Sequence, residues 1–273
     1  MAEVRLRTVD AFTETPFTGN PAAVVFVDEA PTDEWMAAVA RETNVSDTAF
    51  VIREDLADAD FRLRWFTPMV EVDLCGHATL ASAHCLFDDG VKEPIRFASR
   101  SGVLTVRRRP DGSLAMDFPA CPPAEIAARS AVAEALGAAV EWTGQAHDGF
   151  FLLALLADER SVRELTPDLA AIGGLDASAA IVTAAADADR PYDFVSRLFA
   201  PNAGIPEDPV TGSSHTVLAP FWAARLGRTA LLGFQASARS GTVGVELNGD
   251  RVAVIGRAVT VLDGVLTAVA KPR

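Results

Sequence analysis

The sequence predicts an α+β protein made of two duplicated halves, each a curved, mostly antiparallel sheet wrapped around one buried helix. Three observations predict it. First, Arg64-Trp-Phe-Thr-Pro68, Asp73-Leu-Cys-Gly-His77 and Arg100-Ser-Gly102 return in the same order. They return as Arg197-Leu-Phe-Ala-Pro201, Asp208-Pro-Val-Thr-Gly-Ser213 and Arg239-Ser-Gly241, at offsets between 133 and 139 residues. Ordered matches at nearly constant offset indicate an internal duplication of about half the chain. Second, each half holds a helical stretch without a polar face, Thr79–Phe87 and Thr216–Leu226, and such a helix is buried on all sides. Third, strand patterns outnumber helices in both halves and do not alternate with them as in a doubly wound sheet.

In chain order, Val4–Phe12 alternates as a strand, residues 15–21 form a Pro/Gly loop, and Ala22–Val27 is a buried strand. Thr32–Thr43 has helical spacing, with Thr32 as N-cap and Asp33 and Glu34 suited to the first turn. Asn44-Val-Ser-Asp-Thr48 then leads into an apolar strand. Phe61–Phe66 is a strand that enters the first repeated motif. Val103–Val106 and Leu114–Phe118 flank a Pro110-Asp-Gly112 turn. Pro119–Pro123, with three prolines, marks the domain boundary. The first domain is therefore placed at 1–118 and the second at 119–259, with the C-terminal strand 260–273 returning to the first.

The second half opens on a predicted helix, Ala124–Leu136, ended by Gly137. Strands follow at Phe150–Leu156 and Ala179–Ala184, with a short helix near Arg160–Leu165 between them. Tyr192–Phe199 leads into the second motif. Pro220 interrupts the second apolar helix and is expected to kink it. Leu231–Arg239, Thr242–Leu247 and Arg251–Ile255 are strands, the last two joined by an Asn248-Gly249 hairpin turn, and Thr260–Ala270 is one more.

The chain has 273 residues, 49% of them hydrophobic, a net charge of −13 and a pI of about 4.7, which suits two ordinary cores and offers no basic stripe for nucleic acid or anionic membranes. Three unpaired-looking cysteines, Cys75, Cys85 and Cys121, point to a reducing cytoplasm. No apolar signal core opens the chain and no stretch approaches the ~20 apolar residues of a membrane span.

The chemistry is expected at the repeated motifs. Glu71–Leu80 reads as a strand end, a tight turn at Gly76 and a helix start. Unpaired N–H groups at such a start bind carboxylates, with the helix dipole behind them. His77 stands where it can exchange a proton with a bound ligand. Gly212 repeats the turn. Two halves that face each other would bring both helix starts to one cleft around a carboxylate-sized group. Asn20 is either a turn residue or an amide presented to a ligand. Asp47 is either a turn carboxylate or a general base or acid. His84 reads as a core histidine. Metals fit poorly, because the four histidines form no HxxxH pair and there is no CxxC. Val210-Thr-Gly-Ser-Ser214 is no phosphate loop, and no dinucleotide fingerprint follows the first strand. A cofactor-free proton-transfer site is what remains.

Thr8-Val-Asp-Ala-Phe12, Gly19–Val25, Asn44–Phe50, Asp73–Thr79 and Glu207–Ser213 together resemble the PhzF-like phenazine-biosynthesis isomerases. The resemblance implies a diaminopimelate epimerase-like fold of two related domains, each a β-barrel around a central helix. It also implies a homodimer and a cofactor-independent proton shift on a small substrate bearing a carboxylate. By motif matching it places catalytic or polar roles on Asp47, His77, Asp208 and Ser213; the backbone N–H groups at Gly76 and Gly212, and the Asn20 amide, are the expected substrate contacts from the residues themselves. The family commonly has Glu at the position of Asp47; Asp keeps the acid and shortens its reach by one methylene. Racemases of the same fold use two opposed cysteines, and here the repeat sets Thr211 against Cys75, which argues against a two-thiol mechanism. A non-catalytic binding protein is the third reading, motivated by the same Asp47.

Overall fold

The computed structural model describes residues 4–127 and 129–267. The chain divides into two compact units, one running to Asp117 and resuming at Ile255, the other comprising Phe118–Val254.

The first unit is built from strands β1 (Val4–Ala11), β2 (Asn20–Val27), β3 (Asp47–Ile52), β4 (Phe61–Phe66), β5 (Glu71–Val72), β6 (Ile95–Ser99), β7 (Gly102–Arg108) and β8 (Leu114–Pro119), with helices α1 (Asp33–Thr43) and α2 (Gly76–Asp88). β1 pairs antiparallel with β2, β2 parallel with β3, and β3 antiparallel with β4. β4 takes β5 antiparallel and β6 parallel, and β6 and β7 continue as antiparallel pairs to β8. β2 is buried on both faces, which explains its unbroken apolar run. Ala23, Val25 and Val27 meet Met36, Val39 and Ala40 of α1. α2 packs on β1, β2 and β3. Its residues from Gly76 to Phe87 are buried except the half-buried His84. His84 lies 3.1 Å from the Thr260 hydroxyl and 3.3 Å from Asp88, a polar edge of the core.

The second unit runs β9 (Ala124–Glu125), α3 (Arg129–Leu136), β10 (Trp142–Ala146), β11 (Phe151–Leu155), α4 (Glu159–Arg163), α5 (Leu169–Gly173), β12 (Ala179–Ala185), β13 (Phe194–Ala200), β14 (Ile205–Asp208), α6 (His215–Leu226), β15 (Ala230–Gln235), β16 (Gly241–Asn248) and β17 (Arg251–Gly256). The succession of pairings matches the first unit. β10 runs antiparallel to β11, β11 parallel to β12, and β12 antiparallel to β13. β13 takes β14 antiparallel and β15 parallel, and β15 runs antiparallel to β16. β18 (Ala258–Leu266) pairs antiparallel with β1 of the first unit. Positions 268–273 of the predicted C-terminal strand lie outside the described residues.

Two expectations need correction. The helix predicted over Ala124–Leu136 begins only at Arg129, because Ala124 and Glu125 pair with Gln145 and Gly144. The strand predicted over Leu231–Arg239 ends at Gln235, whose side chain turns to the second motif. Pro220 lies inside α6, and Thr216, the residue whose carbonyl a proline at 220 cannot serve, accepts the Cys121 N–H at 3.0 Å.

The same ion pair braces each repeat. Arg64 forks onto Glu71 at 2.7 and 2.8 Å, and Arg197 forks onto Glu207 at 2.7 and 2.9 Å. Such bidentate pairs fix direction as well as distance. Each guanidinium also covers a phenylalanine two residues on, Phe66 at 5.3 Å and Phe199 at 5.0 Å. The strand entering each motif is thereby tied to the first residue of that motif.

Candidate active site

In the first unit the site starts at the turn into β2. Gly19 has φ +68°, and a Cβ there would lie 2.2 Å from the Ala11 carbonyl oxygen, so only glycine fits. It delivers Asn20, paired with Ala11, into the interior with no exposed surface. The Asn20 amide nitrogen lies 3.2 Å from His77 Nδ1. An amide N–H can only donate, so Nδ1 accepts and the imidazole proton sits on Nε2.

Asp47 opens β3, paired with Ala22, shortly after Asn44 closes α1 in the left-handed conformation (φ 49°). Its Oδ2 lies 3.6 Å from His77 Nε2. Cys75 is the N-cap of α2, and its own side chain makes no capping hydrogen bond. The Cys75 Sγ stands 3.5 Å from His77 Nδ1 and 3.9 Å from Nε2. Asp47, Cys75 and His77 are 6, 7 and 5% exposed. Burial alone lowers the His77 pKa from 6.5 to about 3, so the imidazole is neutral at ordinary pH.

In the second unit Asp208 ends β14 and accepts a short hydrogen bond from the Thr211 hydroxyl. Gln235 has no exposed surface and clamps this turn. Its Oε1 accepts from Thr211 N–H at 2.9 Å, and its Nε2 donates to the Asp208 carbonyl at 2.8 Å. Gly212 lies in the turn before α6, and its carbonyl accepts the His215 N–H at 3.1 Å. Ser213 is half-buried, and its carbonyl accepts from the Thr216 hydroxyl at 2.7 Å. The His215 Nδ1–H donates to the Thr211 carbonyl at 2.8 Å, as the Thr79 hydroxyl donates to the Cys75 carbonyl at 2.6 Å. Burial lowers the His215 pKa to about 4, against a smaller opposing effect of that carbonyl.

The fold thus brings Asn20, Asp47 and His77 together with Cys75 beside Gly76, and it sets Asp208 on the turn that carries Gly212 and Ser213. Asn20, read as a turn residue or as an amide presented to a ligand, has its amide within hydrogen-bond distance of the imidazole. Gln235 has no signal in sequence: it is one amide at the end of an apolar strand. Metal-ligand side chains can also meet from segments far apart in the chain. Asp47, Cys75 and His77 offer three metal-ligand atoms within 4.8 Å of one another. Among the described residues no helix is long and apolar enough to cross a membrane.

Comparison with known proteins gives this arrangement a context. The family described as "Phenazine biosynthesis-like protein" matches residues 9–264. An uncharacterized isomerase of Pseudomonas aeruginosa is 48% identical over 97% of this chain and 99% of its own length. The human phenazine biosynthesis-like domain-containing protein is 38% identical, with 95% and 97% covered. The crystal structure of a PhzF-family phenazine biosynthesis protein from Enterococcus faecalis superposes with a TM-score of 0.91 at 38% identity, covering 98% of this chain and all of that one. A hydroxyproline epimerase from Agrobacterium vitis, 13% identical over 97% and 92% of the two chains, shares the fold with a TM-score of 0.63. With its profile matched almost end to end and its fold shared, the chain belongs to the phenazine biosynthesis-like PhzC/PhzF family.

Proposed function

We propose that this protein is a cofactor-independent isomerase that shifts a proton on a small, carboxylate-bearing substrate. The observation that carries the reading is the buried Asp47 carboxylate, 3.6 Å from a neutral imidazole whose tautomer Asn20 sets. A carboxylate removed from water is a stronger base than one in water. In this reading Asp47 takes a proton from an activated carbon and becomes the carboxylic acid. It returns that proton to another carbon of the conjugated substrate, so the net change is isomerisation. The Nε2–H of His77 donates a hydrogen bond to Asp47 or to a substrate oxygen that gains charge. No imidazolium takes part. The start of α2 at Gly76, where the N-cap side chain makes no capping hydrogen bond, receives the substrate carboxylate. Asp208, Ser213 and Gly212 hold the substrate or relay protons, by their match to the family motif. Relatives in Pseudomonas aeruginosa that bear the name isomerase support the reaction class. A homodimer in the cytoplasm completes the reading, and sedimentation equilibrium tests the dimer.

Two-thiol racemisation fits less well. Thr211 occupies the position repeated from Cys75, and its hydroxyl is bonded to Asp208. The test is exchange of a substrate carbon proton with deuterated solvent over a panel of hydroxyanthranilate-like acids. Asp47→Asn is expected to lower exchange by ~10²–10⁴ while leaving affinity little changed. Equal exchange in the wild type and this variant overturns the role of Asp47. Binding without any exchange in the wild type favours a binding protein.

A further inference from the structure

We propose that Gln235 is a positioning residue for Asp208: it turns the Thr211 hydroxyl into a donor toward the Asp208 carboxylate, so that the second motif offers the substrate an ionised, oriented acid group. The inference deepens the proposed isomerase reading and takes the catalytic meaning of Asp208 from it. The amide has one possible orientation. Its Oε1 lies 2.9 Å from the Thr211 N–H, which only donates, and its Nε2 lies 2.8 Å from the Asp208 carbonyl, which only accepts. The remaining Nε2 hydrogen reaches Thr211 Oγ1 at 3.2 Å. That oxygen accepts from Gln235, and its own hydrogen goes to Asp208 Oδ2 in the short bond described above. A bond donated to the charged form of a carboxyl group favours that form. Asp208 has further interactions, and the direction of this one is set by Gln235.

The duplication supplies the contrast. Gln235 has no exposed surface, and an amide in such a place is unfavourable unless both its ends are bonded. Here both ends are bonded to the one turn that joins Asp208 to Thr211. Phe194 pairs with Gly233, two residues before Gln235, and its repeat counterpart Phe61 pairs with Phe97, two residues before Ser99. Ser99 therefore holds the matching place in the first unit, and its hydroxyl donates to the Gly102 carbonyl at 2.8 Å. The first motif has Cys75 where the second has Thr211. Asp73, the counterpart of Asp208, is exposed and meets Arg100 at 3.5 Å. The amide, the hydroxyl and a half-buried acid thus occur together in the second unit, and the matching positions of the first carry none of the three.

The test is the carboxyl titration of Asp208 in the full chain, followed by carbon-13 NMR and identified by its loss in Asp208→Asn. Gln235→Met fills the space and removes the amide. It should raise the Asp208 midpoint by about one pH unit, the size of one hydrogen bond to a charged group. Thr211→Val should do the same, and Thr211→Ser, which keeps the hydroxyl, should stay at the wild-type value. In the Thr211→Val background Gln235→Met should add little, because the two act through one bond. The neighbouring titratable groups, Glu207 in its fork with Arg197 and His215 on the Thr211 carbonyl, are the same in all variants. A purely structural amide would lower the melting temperature and leave the midpoint in place. Solvent exchange should show the same displacement: an ionised Asp208 is lost as pH falls through its midpoint, so the acid limb of the variant moves to higher pH. Gln235→Asn withdraws the amide by one methylene and gives the same reading if Gln235→Met does not fold. An unmoved midpoint in the folded Gln235 variants overturns the proposal and leaves the Asp47 exchange experiment standing. The titration needs no substrate, so absence of exchange in every protein would remove the isomerase reading and leave the titration result in place.

Discussion

Replacing His77 by glutamine should flatten the acid side of the first unit's stability profile. His77 has a pKa of about 3 in the fold, against 6.5 when exposed. Between those values the unfolded chain binds a proton that the native chain does not, so stability rises with pH across this window and is lost as pH falls through it. The slope is about 1.4 kcal/mol per pH unit below 6.5. Moving from pH 7.5 to pH 5 should therefore cost the wild type about 2 kcal/mol through this group alone. Glutamine keeps an amide of similar size and cannot titrate, so His77→Gln should lose about 2 kcal/mol less than the wild type over the same interval. The comparison is between pH slopes, so an overall change in stability on substitution does not disturb it. Native-state hydrogen exchange of β3 and α2 amides, measured at both pH values, reports the unit that holds the residue. Nitrogen-15 shifts of the imidazole give a direct second reading. They should show the Nε2–H tautomer down to about pH 4, one unit above the pKa near 3. Identical slopes in the two proteins, or an imidazolium already present at pH 6, would refute the reasoning.

Other expectations follow from the geometry. Cys75→Ser should keep solvent exchange within about tenfold of wild type, well short of the ~10²–10⁴ lost with an acid–base residue; a deuterium-exchange assay checks it. Arg64→Met and Arg197→Met should each cost about 1–3 kcal/mol in urea unfolding by leaving a part-buried carboxylate without its fork. The larger loss is expected at Arg197, which also donates to the Val162 and Leu165 carbonyls. Gly19→Ala should lower exchange and thermal stability together, because the added Cβ meets the Ala11 carbonyl and shifts Asn20 away from His77. A variant with unchanged melting temperature and activity would show that the turn accommodates it.

The parts of the fold legible in sequence were those whose signal is local. The apolar run of α2 and the alternation of β7 and β8 about Pro110-Asp-Gly112 depend only on neighbours in the chain. β10 was illegible for the opposite reason. It has Gly144 at its centre, where a Cβ would lie 2.2 Å from the Trp142 ring, and a glycine in a short polar run reads as a break. Helix α3 was overextended because nothing in Ala124-Glu125 announces that Gly144 and Gln145 will pair with them. At the site, the motif residues could be named, but their partners could not. Asn20 and His77 are 57 residues apart, and the amide that fixes the imidazole tautomer is identifiable only when β2 and α2 are packed. The Gln235 clamp on Asp208 spans 27 residues in the same way.

The paired Arg–Glu forks also separate what can vary in this chain from what cannot. Each fork holds its motif without using Cys75, His77, Thr211 or Ser213. After duplication, one copy could therefore keep a thiol and an imidazole at its helix start while the other acquired a hydroxyl and a serine, at no expense to the frame. The same freedom is open to directed evolution. Libraries drawn at 73–77 and 208–213, with Arg64, Glu71, Arg197 and Glu207 held fixed, would sample new chemistry on a backbone that stays where it is.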